Sequence, residues 1–309
     1  MNPLRRIILD TDLGMGDPGT EIDDGFALAL ALAEPGIRLE LVTTVAGNAD
    51  VDTCTRLSRQ LLSRLGRTDV PVVGGAAVPL RGGVQGREDE YRAPYAAPAL
   101  VEHVRQSPGE ITLVAIGPLT NVALALVLEP ALARDVREIV VMGGVYLGHT
   151  NLAAMPGEHN IWCDPDAAAV VLGSGAPLRL VGLDITKQVR LTRDAAAALA
   201  ASGRDFGRFA GECTSAWIDA HGAALPGDPR EQDSCALHDA LAVAVVARPD
   251  LVTWTPAFVA VETAGQVARG VMVADLLTSA DPPSPNCEIG TAVQADAVTA
   301  LFLERISSL

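Results

Sequence analysis

The stretch from Ile7 to Leu30 constrains this chain more than any other, because it passes from strand to loop to helix within a short span. Ile7-Ile8-Leu9 is an apolar run of the kind that reads as a buried strand, and it ends in Asp10-Thr11-Asp12. A Gly- and Pro-bearing loop follows, then Glu21-Ile22-Asp23-Asp24, then Phe26 to Leu32 at helical density. Strand, loop, helix is the first unit of an α/β protein, whose ligands sit at the carboxyl ends of its strands. Five aspartates (Asp10, Asp12, Asp17, Asp23, Asp24) and Glu21 crowd this end. Crowded carboxylates repel, and several cannot stay ionised together without a cation. A hard divalent ion taken by oxygen ligands, Ca²⁺ or Mg²⁺, relieves them best. Helix capping by Asp23 and Asp24 is the plainer alternative, but it leaves the strand-end Asp-x-Asp unexplained.

The alternation continues down the chain. Leu39 to Val45, Val70 to Val73, Ile111 to Ile116, Ile139 to Met142 and Leu178 to Leu183 read as strands. Helical spacing runs over Val51 to Leu65, Val122 to Leu128, the segment led by Asp164-Pro165-Asp166, Arg193 to Ala201, Phe206 to Ala223, Ala240 to Val246 and Asp296 to Ile306. Pro79 to Pro98 reads as a long loop. Beyond Pro249, Phe258 to Glu262 and Val271 to Asp275 read as an antiparallel pair at one sheet edge. With no polar linker, the expectation is one α/β domain over residues 1–309. It is an open, doubly wound, mostly parallel sheet with helices on both faces and a small antiparallel edge.

Composition narrows the partners. A formal charge of −15 argues against nucleic acid and anionic membranes, which both demand a basic face. No apolar run reaches the length of a membrane span. The opening residues lead straight into the first strand, and the five cysteines show no C-x-x-C spacing. The expectation is a cytoplasmic protein with reduced thiols, without signal peptide, disulfide frame or zinc site.

Polar residues recur at strand ends: Asp10 and Asp12, Asn48, Met142-Gly143-Gly144, Asp184 and, from a helix start, His238-Asp239. Each has a structural explanation alone, as turn residue, cap or tight bend. Together they are expected to converge on one crevice.

At this point the chain resembles the nucleoside hydrolases, the inosine-uridine-preferring nucleoside N-ribohydrolases. The resemblance spans nearly the whole chain. It rests on Asp10-Thr11-Asp12 with Asp23-Asp24, Thr44-Val45-Ala46-Gly47-Asn48, Gly117-Pro118-Leu119-Thr120-Asn121, Met142-Gly143-Gly144, Glu158-His159-Asn160 before Asp164-Pro165-Asp166-Ala167, and His238-Asp239-Ala240-Leu241-Ala242. Arg269-Gly270 fits as well. The resemblance implies one Ca²⁺ at the bottom of a deep pocket, held by Asp12, Asp23, Asp24, Asp239 and the main-chain carbonyl of Ile116. It makes Asp12 the general base for the metal-bound water. It gives Asp23, Asn48, Met142, Asn151, Glu158 and Asn160 to the ribose hydroxyls, and His238 to the leaving base. The implied reaction turns ribonucleosides into ribose and free base, in a homo-oligomer (dimer or tetramer).

The chemistry agrees. Breaking an N-glycosidic bond passes through an oxocarbenium-like cation, which a carboxylate-lined pocket suits. A histidine titrating near neutral pH, as His238 is expected to, can give a proton to the base. Trp217 and His221, four apart on one helix, are further candidates beside the base, with core packing and solvation as the plain alternatives.

Two departures bear on specificity. The family's Asp-Asp pair follows its Asp-x-Asp closely, whereas here Met15 to Glu21 is inserted. The insert can loop outward, or it can narrow the pocket and bring Asp17 or Glu21 inside. The family's H-G-x-x-G loop stands here as Val84-Gln85-Gly86-Arg87-Glu88-Asp89, without the histidine. The competing functions are a haloacid-dehalogenase-type phosphatase, disfavoured by a single lysine, Lys187, and a nucleoside- or ribose-binding homologue without turnover.

Overall fold

The structure, a computed structural model, describes residues 4–81, 95–148, 155–277 and 281–309. In chain order β1 (Arg5–Thr11) leads to α1 (Asp23–Ala33), β2 (Ile37–Thr44), α2 (Val51–Arg64), β3 (Val72–Gly74) and α3 (Ala96–Arg105). Next come β4 (Ile111–Ala115), α4 (Thr120–Leu128), α5 (Leu132–Asp135), β5 (Glu138–Met142), α6 (His159–Cys163), α7 (Pro165–Leu172) and β6 (Leu178–Val181). They are followed by α8 (Leu183–Thr186), β7 (Arg190–Thr192), α9 (Arg193–Ala201), α10 (Asp205–Ala224), α11 (Arg230–Asp233), β8 (Ser234–Ala236) and α12 (His238–Ala247). The chain closes with β9 (Val252–Val261), β10 (Met272–Asp275), β11 (Cys287–Val293) and α13 (Ala295–Ile306).

The main sheet has the order β10-β9-β11-β6-β5-β4-β1-β2-β3. From β3 to β11 its neighbours pair in parallel, and β9 joins both β11 and β10 antiparallel. Strand order reverses between β1, which leads on to β2 and β3, and β4, which leads the other way to β5 and β6. That switch point opens a crevice at the carboxyl ends of the strands.

The interior strands are apolar on both faces because helices cover both. Ile7 and Leu9 of β1, Val114 of β4 and Val140 and Met142 of β5 enter one core, while Ile8, Leu113, Ile139 and Val141 enter the other. Residues i and i+2 share a face, so the split follows from the pleat. The first core takes α1, α12 and α13, and Phe26 meets Phe302 edge-to-face with centroids 5.2 Å apart. Such a pair adds about 0.5–1.5 kcal/mol beyond the area it buries.

The expected antiparallel edge is present, with Met272 opposite Val261. A strand that the sequence reading lacks, β11, lies between this edge and β6. The stretch read as a loop to Pro98 turns helical at Ala96, and the expected strand to Leu183 stops at Val181, where α8 takes over. Residues 84–89 and Asn151 lie outside the described residues.

Candidate active site

The site is built on the switch point. Asp12 follows β1 and is fully buried, and its Oδ2 accepts a hydrogen bond from the Asn48 backbone N–H at 2.8 Å. Its Oδ1 is buried with no partner. Gly47 and Gly117 make room for this carboxylate. A Cβ on Gly47 would lie 2.0 Å from Oδ2, and one on Gly117 would lie 2.9 Å from Oδ1.

Asp23 and Asp24 open α1, yet neither is its N-cap, a position held by Ile22 without a side-chain bond. Asp24 accepts from Thr11 Oγ1 and, at 2.9 Å, from Asn48 Nδ2. Asp23 accepts from the backbone N–H of Asp239, at the start of α12, at 3.1 Å. Oxygens of Asp23, Asp24 and Asp239 all lie within 4.8 Å of one another. Simple capping therefore does not account for the pair.

Burial lifts every carboxyl of this floor. Asp23 is pushed up to about 7, by burial first and then by the charge of Asp24. Asp24 is pushed up to about 6 by burial, with hydrogen bonds from Thr11 and Asn48 pulling it back. Asp12 and Asp239 stand well above the ordinary carboxylate range, again from burial first, then from Asp24 and Asp23 respectively. A cation is what such a set lacks. The donors are all oxygen, which suits Ca²⁺ or Mg²⁺.

Above the floor lies a cavity of about 400 Å³. One wall is α6 and the ends of β4 and β5. Glu158 caps α6, its Oε1 accepting from Asn160 N at 2.8 Å and its Oε2 from Ile161 N at 3.1 Å and Gly144 N at 3.2 Å. Burial still raises its carboxyl to about 7. The Asn160 amide donates to the carbonyls of Ile116 at 2.9 Å and Met142 at 3.2 Å, tying the two strand ends together.

The opposite wall carries rings. Trp217 and His221 of α10 stack with centroids 4.9 Å apart and line the cavity. His238 Nδ1 lies 2.7 Å from Thr186 Oγ1. Its expected near-neutral titration does not hold. Burial first, then the charge of Lys187, lowers it to about 3, so the ring is neutral at neutral pH.

Asp23, Asn48, Ile116, Met142, Glu158, Asn160, Trp217, His221, His238 and Asp239 all line this one cavity, with Asp12 and Asp24 buried at its floor. Two expected polar strand ends do other work. Asp10 accepts from Thr43 Oγ1 at 2.5 Å and Asn121 Nδ2 at 2.8 Å, which ties β1 to β2 and to the start of α4. Asp184 accepts from the backbone N–H groups of Tyr146 at 2.6 Å and Leu147 at 2.8 Å and so holds the loop after β5.

The insert turns inward. Met15 is buried against Gly25, where a Cβ would come within 2.3 Å of its sulfur. Thr20 Oγ1 closes the loop by donating to the carbonyls of Gly14 at 2.6 Å and Asp17 at 2.8 Å. Glu21 thus lines the cavity, whereas Asp17 does not. The sequence reading also lacked His159, Lys187 and Glu231 at this cavity. For His159, its position between Glu158 and Asn160 was the available signal.

Comparison with known proteins shows the family of the chain. The family model for inosine-uridine preferring nucleoside hydrolase matches residues 7–300. Non-specific ribonucleoside hydrolase RihC of Salmonella newport (strain SL254) is 37% identical over 307 residues, which cover 94% of this chain and 94% of that one. A solved plant nucleoside hydrolase matches with a TM-score of 0.87 at 30% identity over 99% of this chain and 100% of its own. A purine-preferring ribonucleoside hydrolase from Gardnerella vaginalis matches at 0.85 and 29% identity over 98% of both. By fold, by site and by descent, this chain belongs to the inosine-uridine preferring nucleoside hydrolase family and is a hydrolase of N-glycosyl bonds.

Proposed function

We propose that this cavity hydrolyses free ribonucleosides to ribose and base, with Ca²⁺ held by Asp12, Asp23, Asp24, Asp239 and the carbonyl of Ile116. The observation that carries this reading is the unpartnered, buried Asp12 Oδ1 beside three carboxylates within 4.8 Å of one another. When bound, the cation supplies a Lewis acid that lowers the pKa of a water it holds.

The chain's own groups divide the remaining tasks. Asp12, as general base, accepts a proton from the attacking water. Asn48, Asp23, Glu158, Asn160 and the Met142 main chain offer donors and acceptors for the ribose hydroxyls, and Asn151 joins that set. Trp217 and His221 present ring faces to the base. His238, held neutral, takes the tautomer in which Nδ1 accepts from Thr186 and Nε2–H is free to donate to the base. The family assignment leaves no room for the phosphatase reading of the opening Asp-x-Asp.

The relatives include a non-specific and a purine-preferring enzyme, so the test uses both kinds of base. Ribose release is measured from inosine, adenosine, uridine and cytidine after chelation and again after adding back Ca²⁺ or Mg²⁺. The expected result is activity lost with chelator and restored best by Ca²⁺. Nucleoside binding without ribose release would leave a binding protein in place of an enzyme. Full activity after chelation would remove the cation.

A further inference from the structure

Lys187 is the only lysine in the chain, and it lines the cavity. It directly follows Thr186, which fixes His238 at 2.7 Å, so it belongs to the wall opposite the Glu158–Asn160 wall assigned to ribose. The other cation at the cavity, Arg230, is engaged by Asp228 through contacts of 2.8 and 3.1 Å. Glu231 is likewise taken, by Arg190 at 2.8 Å. Lys187 differs. It is half-buried, and its ammonium has no hydrogen-bond or ion-pair partner among the described residues. An ammonium offers three donors and no acceptor, so at this wall it is free to bond an acceptor that enters the cavity. A ligand that presents an oxygen acceptor to this wall satisfies it.

A free ribonucleoside carries such acceptors at the periphery of its base. Resting on the function proposed above, we propose that Lys187 contacts the exocyclic oxygen of the departing base and stabilises the negative charge that gathers there. The C1′–N bond breaks with its electron pair going to the base nitrogen, from which the charge spreads to the exocyclic oxygen. The water oxygen bonds to C1′, and one of its protons passes to Asp12. The base anion gains one proton from solvent and Asp12 returns one, so nucleoside plus water gives ribose plus neutral base. His238 Nδ1 is engaged by Thr186 and Arg230 by Asp228, so among the described residues lining the cavity Lys187 is the cation left to meet the base. An exocyclic amino group in the same place would set donor against donor, so Lys187 favours oxo bases over amino bases.

The experiment compares the parent enzyme with Lys187→Met and Lys187→Arg on two pairs of substrates, inosine with adenosine and uridine with cytidine. Within each pair the main change is an oxygen for an amino group. In Lys187→Met, kcat/KM should fall roughly 10–100-fold for inosine and uridine, the worth of a hydrogen bond from a charged donor. Adenosine and cytidine should change by less than about threefold, and Lys187→Arg should recover most of the loss. Inhibition by free ribose should be unchanged. Equal loss on all four substrates would mean that Lys187 only supports Thr186 and His238, and no loss would mean a solvated side chain; either overturns the inference while the parent's activity stands. A parent that releases no ribose from any substrate overturns the proposed function and this inference with it.

Discussion

Calcium should stabilise this protein by an amount that grows with pH. The carboxyl of Asp23 is pushed from 3.8 to about 7, and that of Asp24 to about 6. Folded values above the unfolded ones mean that the folded chain binds more protons. The stability they contribute is therefore full below about pH 4 and is lost as pH rises through about 6–7. The gap between 3.8 and about 7 corresponds to about 4 kcal/mol for one carboxyl taken alone. A cation on the floor favours the ionised forms and removes this loss. Mass action sets the gain at about 2.7 kcal/mol for a hundredfold excess over Kd and about 4.1 kcal/mol for a thousandfold excess. With 309 residues, unfolding entropy is about 0.65 kcal/mol/K, so the gain is roughly 4–6 °C in Tm. Melting curves with Ca²⁺ and with chelator should nearly coincide at about pH 5 and separate by roughly that amount at about pH 8. Asp10 and Glu158 are also raised to about 7, but they lie outside the acidic cluster and their contribution cancels in the difference. A separation that does not change with pH would refute the reasoning.

Two further outcomes follow from the site. Gly47→Ala places a Cβ 2.0 Å from Asp12 Oδ2. It should cost about 1–3 kcal/mol in a melt and lower both bound calcium, by elemental analysis, and ribose release; a variant with wild-type calcium content would show that Asp12 is not held as described. His238→Ala should slow inosine and uridine roughly 10–100-fold, the size of a lost hydrogen bond, rather than the 10²–10⁴ of a general acid. A nitrophenyl riboside, whose leaving group needs no such donor, should hardly change. A loss above about 10³ confined to the natural nucleosides would restore the acid role.

Much of this protein is legible without coordinates. The run Ile7-Ile8-Leu9 before Asp10-Thr11-Asp12, and the later repetition of apolar strand, polar end and helix, already dictate a parallel sheet with its site at the strand ends. Those signals are local, carried by side-chain period and by residue types that suit particular chemistry. Trp217 and His221 were legible for the same reason, since a spacing of four puts them on one helical face. The strand Cys287 to Val293 was not. It stands alone between a Pro-rich stretch and the last helix, and only its partners β9 and β6 make it a strand.

What the tertiary structure decided concerns distance and burial between residues far apart in the chain. Asp10 and Asp12 look alike in sequence, and each buries one oxygen without a hydrogen-bond partner, yet the other oxygen of Asp10 is taken by Thr43 and Asn121 whereas Asp12 sits between Gly47 and Gly117 beside the charge of Asp24. Asp184 sits at a strand end like the others but is bound to the loop after β5. The insert could turn either way until Met15 found its seat against Gly25 and carried Glu21 inward. Burial likewise lowers His238 from its ordinary range, and Lys187 stands at the same cavity with no hydrogen-bond or ion-pair partner for its ammonium among the described residues. Ionisation and partnership depend on the dielectric and on neighbours through space, which residue order does not encode locally.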